Sequence, residues 1–382
     1  MRCVVCFCLL ALTALLPGAC NRYGPSDSHQ IGHLAPRTGP DQAVGQRLIA
    51  AVAMVVDETN HDDANRIDNR SITVVHADTG PEVDGFAFQA TRLLAVNHVE
   101  ALVGGVNSAQ LAKTVESVQA QSPLNAAVVV SPCGGLGTAP NKLVWCVGLS
   151  PAERGKWLAR GAVEHAKVTD VVTVTDTRDP VFAAIRNGFE NEFRHPDRQV
   201  SASLSFAEAK GLPELAKRIA AAKPKAILFC GRGADLFKIR DELTTAKLDS
   251  VPVLFGGEEE EAAFRKEPER SNGIIYASAF TTEDKAEAVQ KFVTDFRNRA
   301  GQEPNADAAL SADAARVLFA GARAAKRFLP KTLAPEMLKV ELELPTGKFS
   351  FTKEGEPRRP AYVLRLEGGQ PRLLGKYTPE SK

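Results

Sequence analysis

Seven short apolar runs, each closed by Gly, Pro, Ser or Asp and followed by an amphipathic stretch, set the limits on how this chain folds. They are IGHLAP (31–36), SITVVHA (71–77), ALVGGV (101–106), AAVVVS (126–131), VVTVTD (171–176), AILFCG (226–231) and VPVLFG (251–256). Most are continuous rather than alternating, which is the pattern of strands covered on both faces, as parallel strands are. The stretches between them carry apolar residues at helical spacing, clearest in Leu48, Val52, Val55 and Val56 and in Phe182, Ile185 and Phe189. Strand and helix in alternation predict an α/β fold. A chain of 382 residues exceeds one comfortable core, so two lobes are expected. LSPAERGKW (149–157) breaks the rhythm and marks the first passage between them.

The N-terminus reads as a targeting segment. Arg2 precedes an apolar run from Cys3 to Leu16, and small residues follow up to Cys20. Such a run is shorter than the ~20 residues a bilayer-spanning helix needs, so residues 1–19 are expected to be a signal peptide. The arrangement resembles a bacterial lipobox, with Cys20 as the lipidation site and Pro17 where that motif prefers leucine; plain secretion is the alternative. Residues 20–29, polar and rich in helix breakers, suit a tether between a membrane anchor and a folded body.

Loss of residues 1–19 lowers Lys+Arg from 47 to 46 against 46 Asp+Glu, leaving no net charge and no clustered basic surface for nucleic acid. Of the seven cysteines, Cys3, Cys6 and Cys8 leave with the leader, and Cys133, Cys146 and Cys230 remain in the body. A Cys133–Cys146 disulfide and buried free thiols are both open readings. No metal-ligand spacing is present and no cofactor is expected. Asp78-Thr79-Gly80 spells an aspartic-protease tripeptide without the second copy such enzymes require, and CGGLGTAPNK lacks the Gly-Lys-Ser/Thr ending of a phosphate-binding loop. No catalytic constellation is evident, so the chain is not expected to be an enzyme.

In open parallel sheets ligands sit beyond the carboxyl ends of the strands. That directs attention to the loops APRTGPDQ, GGVNSAQ, SPCGGLG, DTRDP, CGRGAD and FGGEE. The opening stretch IGHLAPRTGPDQAVGQRLIAAVAMVVDETN, then LVGGVNSAQ, VVVSPCGG, ADAARVLFAGARAA and TGKFSFTKEGEPRRPAYVLRL, resembles the branched-chain amino-acid-binding family of periplasmic solute-binding proteins across residues 30–368. The resemblance implies a type I periplasmic binding fold: two Rossmann-like lobes with parallel sheets, joined by a three-crossing hinge. On that basis residues 30–149 with 281–350 would form one lobe and residues 150–280 with 351–382 the other. It also implies an extracytoplasmic protein that captures a small amino-acid-like ligand or related carboxylate between the lobes and delivers it to an ABC permease. A ligand-sensing receptor on the same fold is the alternative.

What the resemblance implies for the site is specific. The ligand carboxylate is met by backbone N–H groups and hydroxyls at Asn107, Ser108, Gly134 and Gly135, with Gly135 standing where the family often has threonine. An acidic residue beyond VPVLFG, here Glu258 with Glu259 as its register neighbour, meets the ligand ammonium. The other glutamates of this run would start a helix, whose dipole favours negative charge. Two family tyrosines are replaced in the loops that here carry Thr177, Arg178 and Arg232. Arginines there can bind a further anionic group, or else face solvent or pair with Asp179 and Asp235. Arg37 in the first loop is a further candidate. In the absence of ligand the family resemblance implies an open cleft.

Overall fold

The computed structural model describes residues 28–121, 126–137, 142–206, 210–258 and 260–379. The leader, Cys20, the tether up to residue 27, and Glu259 lie outside the described residues. Fifteen strands alternate with twelve α-helices among them. The first unit comprises β1 (Ser28–Ala35), β2 (Ser71–Asp78), β3 (Ala101–Gly104), β4 (Val128–Ser131) and β5 (Val144–Cys146), all parallel and ordered β2-β1-β3-β4-β5. β1 starts at Ser28, so the last two residues read as tether belong to the sheet.

The second sheet takes β6 (Asp170–Thr175), β7 (Gln199–Ser205), β8 (Ile227–Cys230), β9 (Val253–Phe255) and β10 (Ile275–Ser278) in parallel. A small antiparallel sheet of β11 (Glu341–Leu344), β12 (Gly347–Phe351) and β13 (Pro357–Arg358) follows. Then β14 (Ala361–Glu367) and β15 (Gln370–Tyr377) add antiparallel to the edge of the second sheet at β10. Its full order is β15-β14-β10-β9-β8-β6-β7. The stretch TGKFSFTKEGEPRRPAYVLRL is therefore divided between two sheets: Gly347–Phe351 pairs with β11, and Ala361–Glu367 joins the second sheet.

The helices are α1 (Gln42–His61), α2 (Asp84–Ala95), α3 (Ser108–Gln119), α4 (Pro151–Ala166), α5 (Pro180–Phe193), α6 (Leu212–Ala221), α7 (Gly233–Thr245), α8 (Glu261–Lys266), α9 (Pro268–Ser271), α10 (Glu287–Ala300), α11 (Ala306–Ala325) and α12 (Pro330–Met337). The stripe Leu48, Val52, Val55 and Val56 is buried, and Val52, Val55 and Val56 share a core with Phe292, Phe296 and Leu318 against the first sheet. Phe182, Ile185 and Phe189 of α5 pack with Trp157 and Leu228 on the second. Among the described residues no helix is long and apolar enough to cross a membrane.

The chain passes between the two sheets three times: after β5, between β10 and α10, and between β13 and β14. Buried charge ties these passages together. Arg359, in the third, donates to Asp313 Oδ2 of α11 at 2.9 Å and to the carbonyl of Val147 in the first. Thr346 donates to the same Asp313 oxygen at 2.5 Å. In the second passage Asp284 accepts from Tyr362 and Lys376, both at 2.7 Å.

Candidate functional site

Strand order points to a candidate site before any side chain is considered. In the first sheet the order reverses at β1, between β2 and β3; in the second it reverses at β6, between β7 and β8. At such switch points the loops leave in opposite directions and open a crevice at the carboxyl ends of the strands. The loops concerned lead to α3, α5 and α7, and they carry Ser108, Arg178 and Arg232.

The loop into α3 turns on Gly104 and Gly105, both at positive φ, where a side chain would be strained. Asn107 caps the helix by accepting from the Gln110 N–H at 3.0 Å. Its side-chain oxygen is thereby committed, which leaves Ser108, the first helical residue, to present a backbone N–H and a hydroxyl. Both are used. The Ser108 N–H donates to Glu258 Oε1 at 2.8 Å and the hydroxyl to Glu258 Oε2 at 2.9 Å. Ser108 comes from the first sheet and Glu258 from the loop after β9 of the second, so this two-point contact clasps the two units together. It is also a carboxylate seated at a helix N-terminus, the environment that favours negative charge.

Burial opposes that charge. It pushes the Glu258 carboxyl up to about 7, against the opposing pull of the two Ser108 hydrogen bonds and of the Arg154 charge. Glu260 is in the same condition: burial raises it to about 7, although the Gly233 N–H at the start of α7 donates to it at 2.8 Å. Glu261 opens α8 and pairs with Arg265 at 2.5 Å. Each described carboxylate of the four-glutamate run therefore has its own partner, and the expected helix start is present, with Glu260 at the N-cap of α8 and Glu261 its first residue.

The loop after β4 is shaped by the need for close approach. Ser131 donates to the Gly105 carbonyl at 2.5 Å and accepts from the Cys133 N–H at 3.1 Å, joining this loop to the one before α3. A side chain on Gly134 would sit 1.7 Å from the Leu149 carbonyl. One on Gly137, at positive φ, would meet the Pro180 carbonyl at 2.8 Å, so the loop reaches across to the N-terminus of α5. Gly135 also has positive φ. Its backbone conformation, more than a missing donor, explains glycine at this place.

Arg178 pairs with Asp176, through Nε at 2.8 Å and Nη2 at 2.7 Å, rather than with Asp179. Asp179 is occupied in capping α5 through the Val181 N–H. The Arg178 pair holds the Asp176 carboxyl below its usual range. Asp235 pairs with Lys238 and not with Arg232, which is exposed at the start of α7. Thr177 exchanges a hydrogen bond with Ser205 at 3.2 Å. Arg37 spends its backbone N–H on Asp78, and Asp78 also accepts from Thr38 and Gly80, bracing a turn. Arg37 lines neither of the cavities at the loops.

Two cavities lie at these loops, and Ser108 of the clasp borders the first of them. One of about 540 Å³ is lined by Ser108, Leu136, Asp176, Arg178 and Arg232 among others. The other, about 910 Å³, has Gly134, Gly135, Lys156, Arg160 and Arg358 on its walls. Leu136 borders both, so the glycine loop divides the space. The structure thus brings Ser108, Arg178 and Arg232 to one cavity and Gly134 and Gly135 to the other, with Glu258 bonded to Ser108 at the first. Leu136, Asp176, Lys156 and Arg160 were not anticipated. Asp176 had a signal, as the residue ending VVTVTD at a strand's carboxyl end; the others sit on a loop and a helix face without a distinguishing pattern.

The chain matches the family described as periplasmic binding protein over residues 28–370. Among solved structures it is similar to a leucine-binding protein from Thermotoga maritima, at 20% identity and a TM-score of 0.78, covering 92% of this chain and 99% of that one. A branched-chain amino acid transporter substrate-binding protein from Streptococcus pneumoniae, solved with isoleucine, is similar at 20% identity and TM-score 0.73, covering 91% and 98%. An ABC transporter solute-binding protein from R. palustris, solved with benzoate, is similar at 20% identity and TM-score 0.71, covering 92% and 97%. Likeness at these identities shows the fold. No curated protein matches the chain in sequence.

Proposed function

Since the chain belongs to the periplasmic binding protein family, whose members are extracytoplasmic solute-binding proteins and not enzymes, we propose that it binds a small zwitterionic ligand of the amino-acid class and delivers it to an ABC permease. The observation that carries this reading is the clasp between Ser108 and Glu258. Its two halves are the hydrogen-bond complement of an α-amino acid: the Ser108 N–H and hydroxyl fit a carboxylate, and the Glu258 carboxylate fits an ammonium. Inserted between them, such a ligand exchanges one charge-assisted contact for two. The two sheet units act as lobes turning about the three chain passages, and because the third passage follows β13, residues 351–358 go with the first lobe instead of the second. Lipidation at Cys20 would hold the protein near its permease.

A ligand with a carboxylate but no amine, as in the benzoate complex of the R. palustris protein, places two carboxyl groups against Ser108. It then requires Glu258 protonated, and the position of that carboxyl near pH 7 keeps this reading in play. A thermal-shift screen of the whole chain separates the two, because a ligand that binds only the folded state raises its melting temperature. We expect shifts with α-amino acids at pH 8, larger for acidic ones if Arg178 or Arg232 turns toward the ligand. A shift with benzoate and its hydroxylated relatives alone would move the reading to aromatic carboxylates.

A further inference from the structure

Beneath the glycine loop lies a pair of thiols that solute binding does not use. The β4–β5 register sets Ser131 opposite Cys146. Past the strand ends the ladder continues, with the Val147 N–H donating to the Ser131 carbonyl and the Gly148 N–H to the Cys133 carbonyl, both at 2.9 Å. This brings the sulfurs of Cys133 and Cys146 to 3.9 Å. Cys133 is buried and Cys146 half-buried; Cys230, the third described cysteine, is buried on β8 in the other sheet.

We propose that Cys133 and Cys146 form a disulfide that pins the Cys133–Gly137 loop to the first passage between the sheets. The sulfurs need to close from 3.9 Å to about 2.05 Å, which side-chain rotation on adjoining strand ends can supply. The chemistry is exchange with a disulfide donor of the oxidising exterior. One thiolate attacks the donor disulfide and forms a mixed disulfide, and the second thiolate displaces the donor's sulfur. Two electrons and two protons pass to the donor, which leaves as a dithiol. In the folded chain, the neighbouring Cys133 thiol, burial and the charges of Glu356 and Glu258 hold the Cys146 thiol protonated. Exchange therefore belongs to the folding chain, before the thiols are enclosed.

The bond closes a short ring that contains Gly134, Gly135 and Gly137. It confines the loop that separates the two cavities and touches α5. The proposal rests on the family's extracytoplasmic location and not on the identity of the ligand.

Peptide mapping of the exported full chain tests it, with free thiols blocked in denaturant before digestion. Trypsin cuts after Lys142, so Cys133 and Cys146 fall in separate peptides. The expected result is a cross-linked pair that separates on reduction, with Cys230 alkylated as a free thiol. Reduction should also lower the melting temperature by about 5 °C, and Cys133→Ser should show the lower value with or without reductant. Both cysteines alkylated singly in the exported protein, or either one linked to Cys230, would overturn the proposal. A bond formed only with oxidised glutathione after purification would overturn it as well, without bearing on ligand binding.

Discussion

Glu258→Gln is expected to weaken binding of an aminated ligand by roughly ten- to a hundred-fold, about 1.5 to 3 kcal/mol, the range for a hydrogen bond to a charged group. The same substitution should make the folded protein more stable above pH 7. The sign follows from the folded-state carboxyl at about 7 against an ordinary value of 4.5. Between those values the folded protein holds a proton that the unfolded chain has released, so stability falls as pH rises through the window and stays reduced above it. Glutamine retains an oxygen for the Ser108 N–H and carries no charge to bury. The gain has an upper bound of about 3 kcal/mol, and solvent reaching the half-buried Glu258 lowers it further. Glu260 shifts in the same direction and is itself raised by the Glu258 charge, so part of the slope remains in the variant. Urea unfolding at pH 5 and pH 8 reads the difference. Wild type should lose more stability than the variant between the two. A variant that is less stable at pH 8 and binds unchanged would mean that Glu258 is a structural tie alone.

Asp313→Ala should have the larger effect on folding. Asp313 is fully buried and Arg359 is 2% exposed, and the pair joins α11 to the first and third passages between the sheets. Removing the carboxylate leaves a guanidinium in the interior with only the Val147 carbonyl as a remaining acceptor among the described contacts, and an unpaired buried charge costs about 3 to 5 kcal/mol. The melting temperature should fall by roughly 10 °C. Thr346→Ala removes one neutral donor to the same oxygen and should cost about 1 kcal/mol. Equal, small shifts in both variants would show that Arg359 finds water or another acceptor and that the network does not hold the passages.

VVVS, ILFC and VLF were legible because strands covered on both faces must be continuously apolar, although β10, IYAS, is equally buried and was not among the runs read. β7 escaped because it lies at the sheet edge, where QVSASLS alternates polar and half-buried positions. β5 is only three residues long and follows a loop. β14 and β15 were assigned to the second lobe only through the resemblance, since the chain returns to the second sheet after serving the first and no local pattern states which sheet a strand joins.

At the candidate site, Ser108 and Glu258 were singled out through the resemblance, but their bond to each other was not foreseen, since it connects residues 150 positions apart. Arg178 had two acidic neighbours within reach. Its choice of Asp176 over Asp179 depended on Asp179 being taken by the helix cap, a competition that only the backbone geometry reveals.

The most direct test of the zwitterion reading is the dissociation constant of the best amino-acid ligand, measured by titration calorimetry from pH 5 to pH 8.5. An ammonium held by Glu258 requires the ionised carboxylate, so affinity should rise as pH passes through about 7 and then level off. In Glu258→Gln that rise should be absent. Affinity that falls over the same range would contradict the account, since it would mean that the protonated acid is the form that binds and that the ligand presents no amine to Glu258.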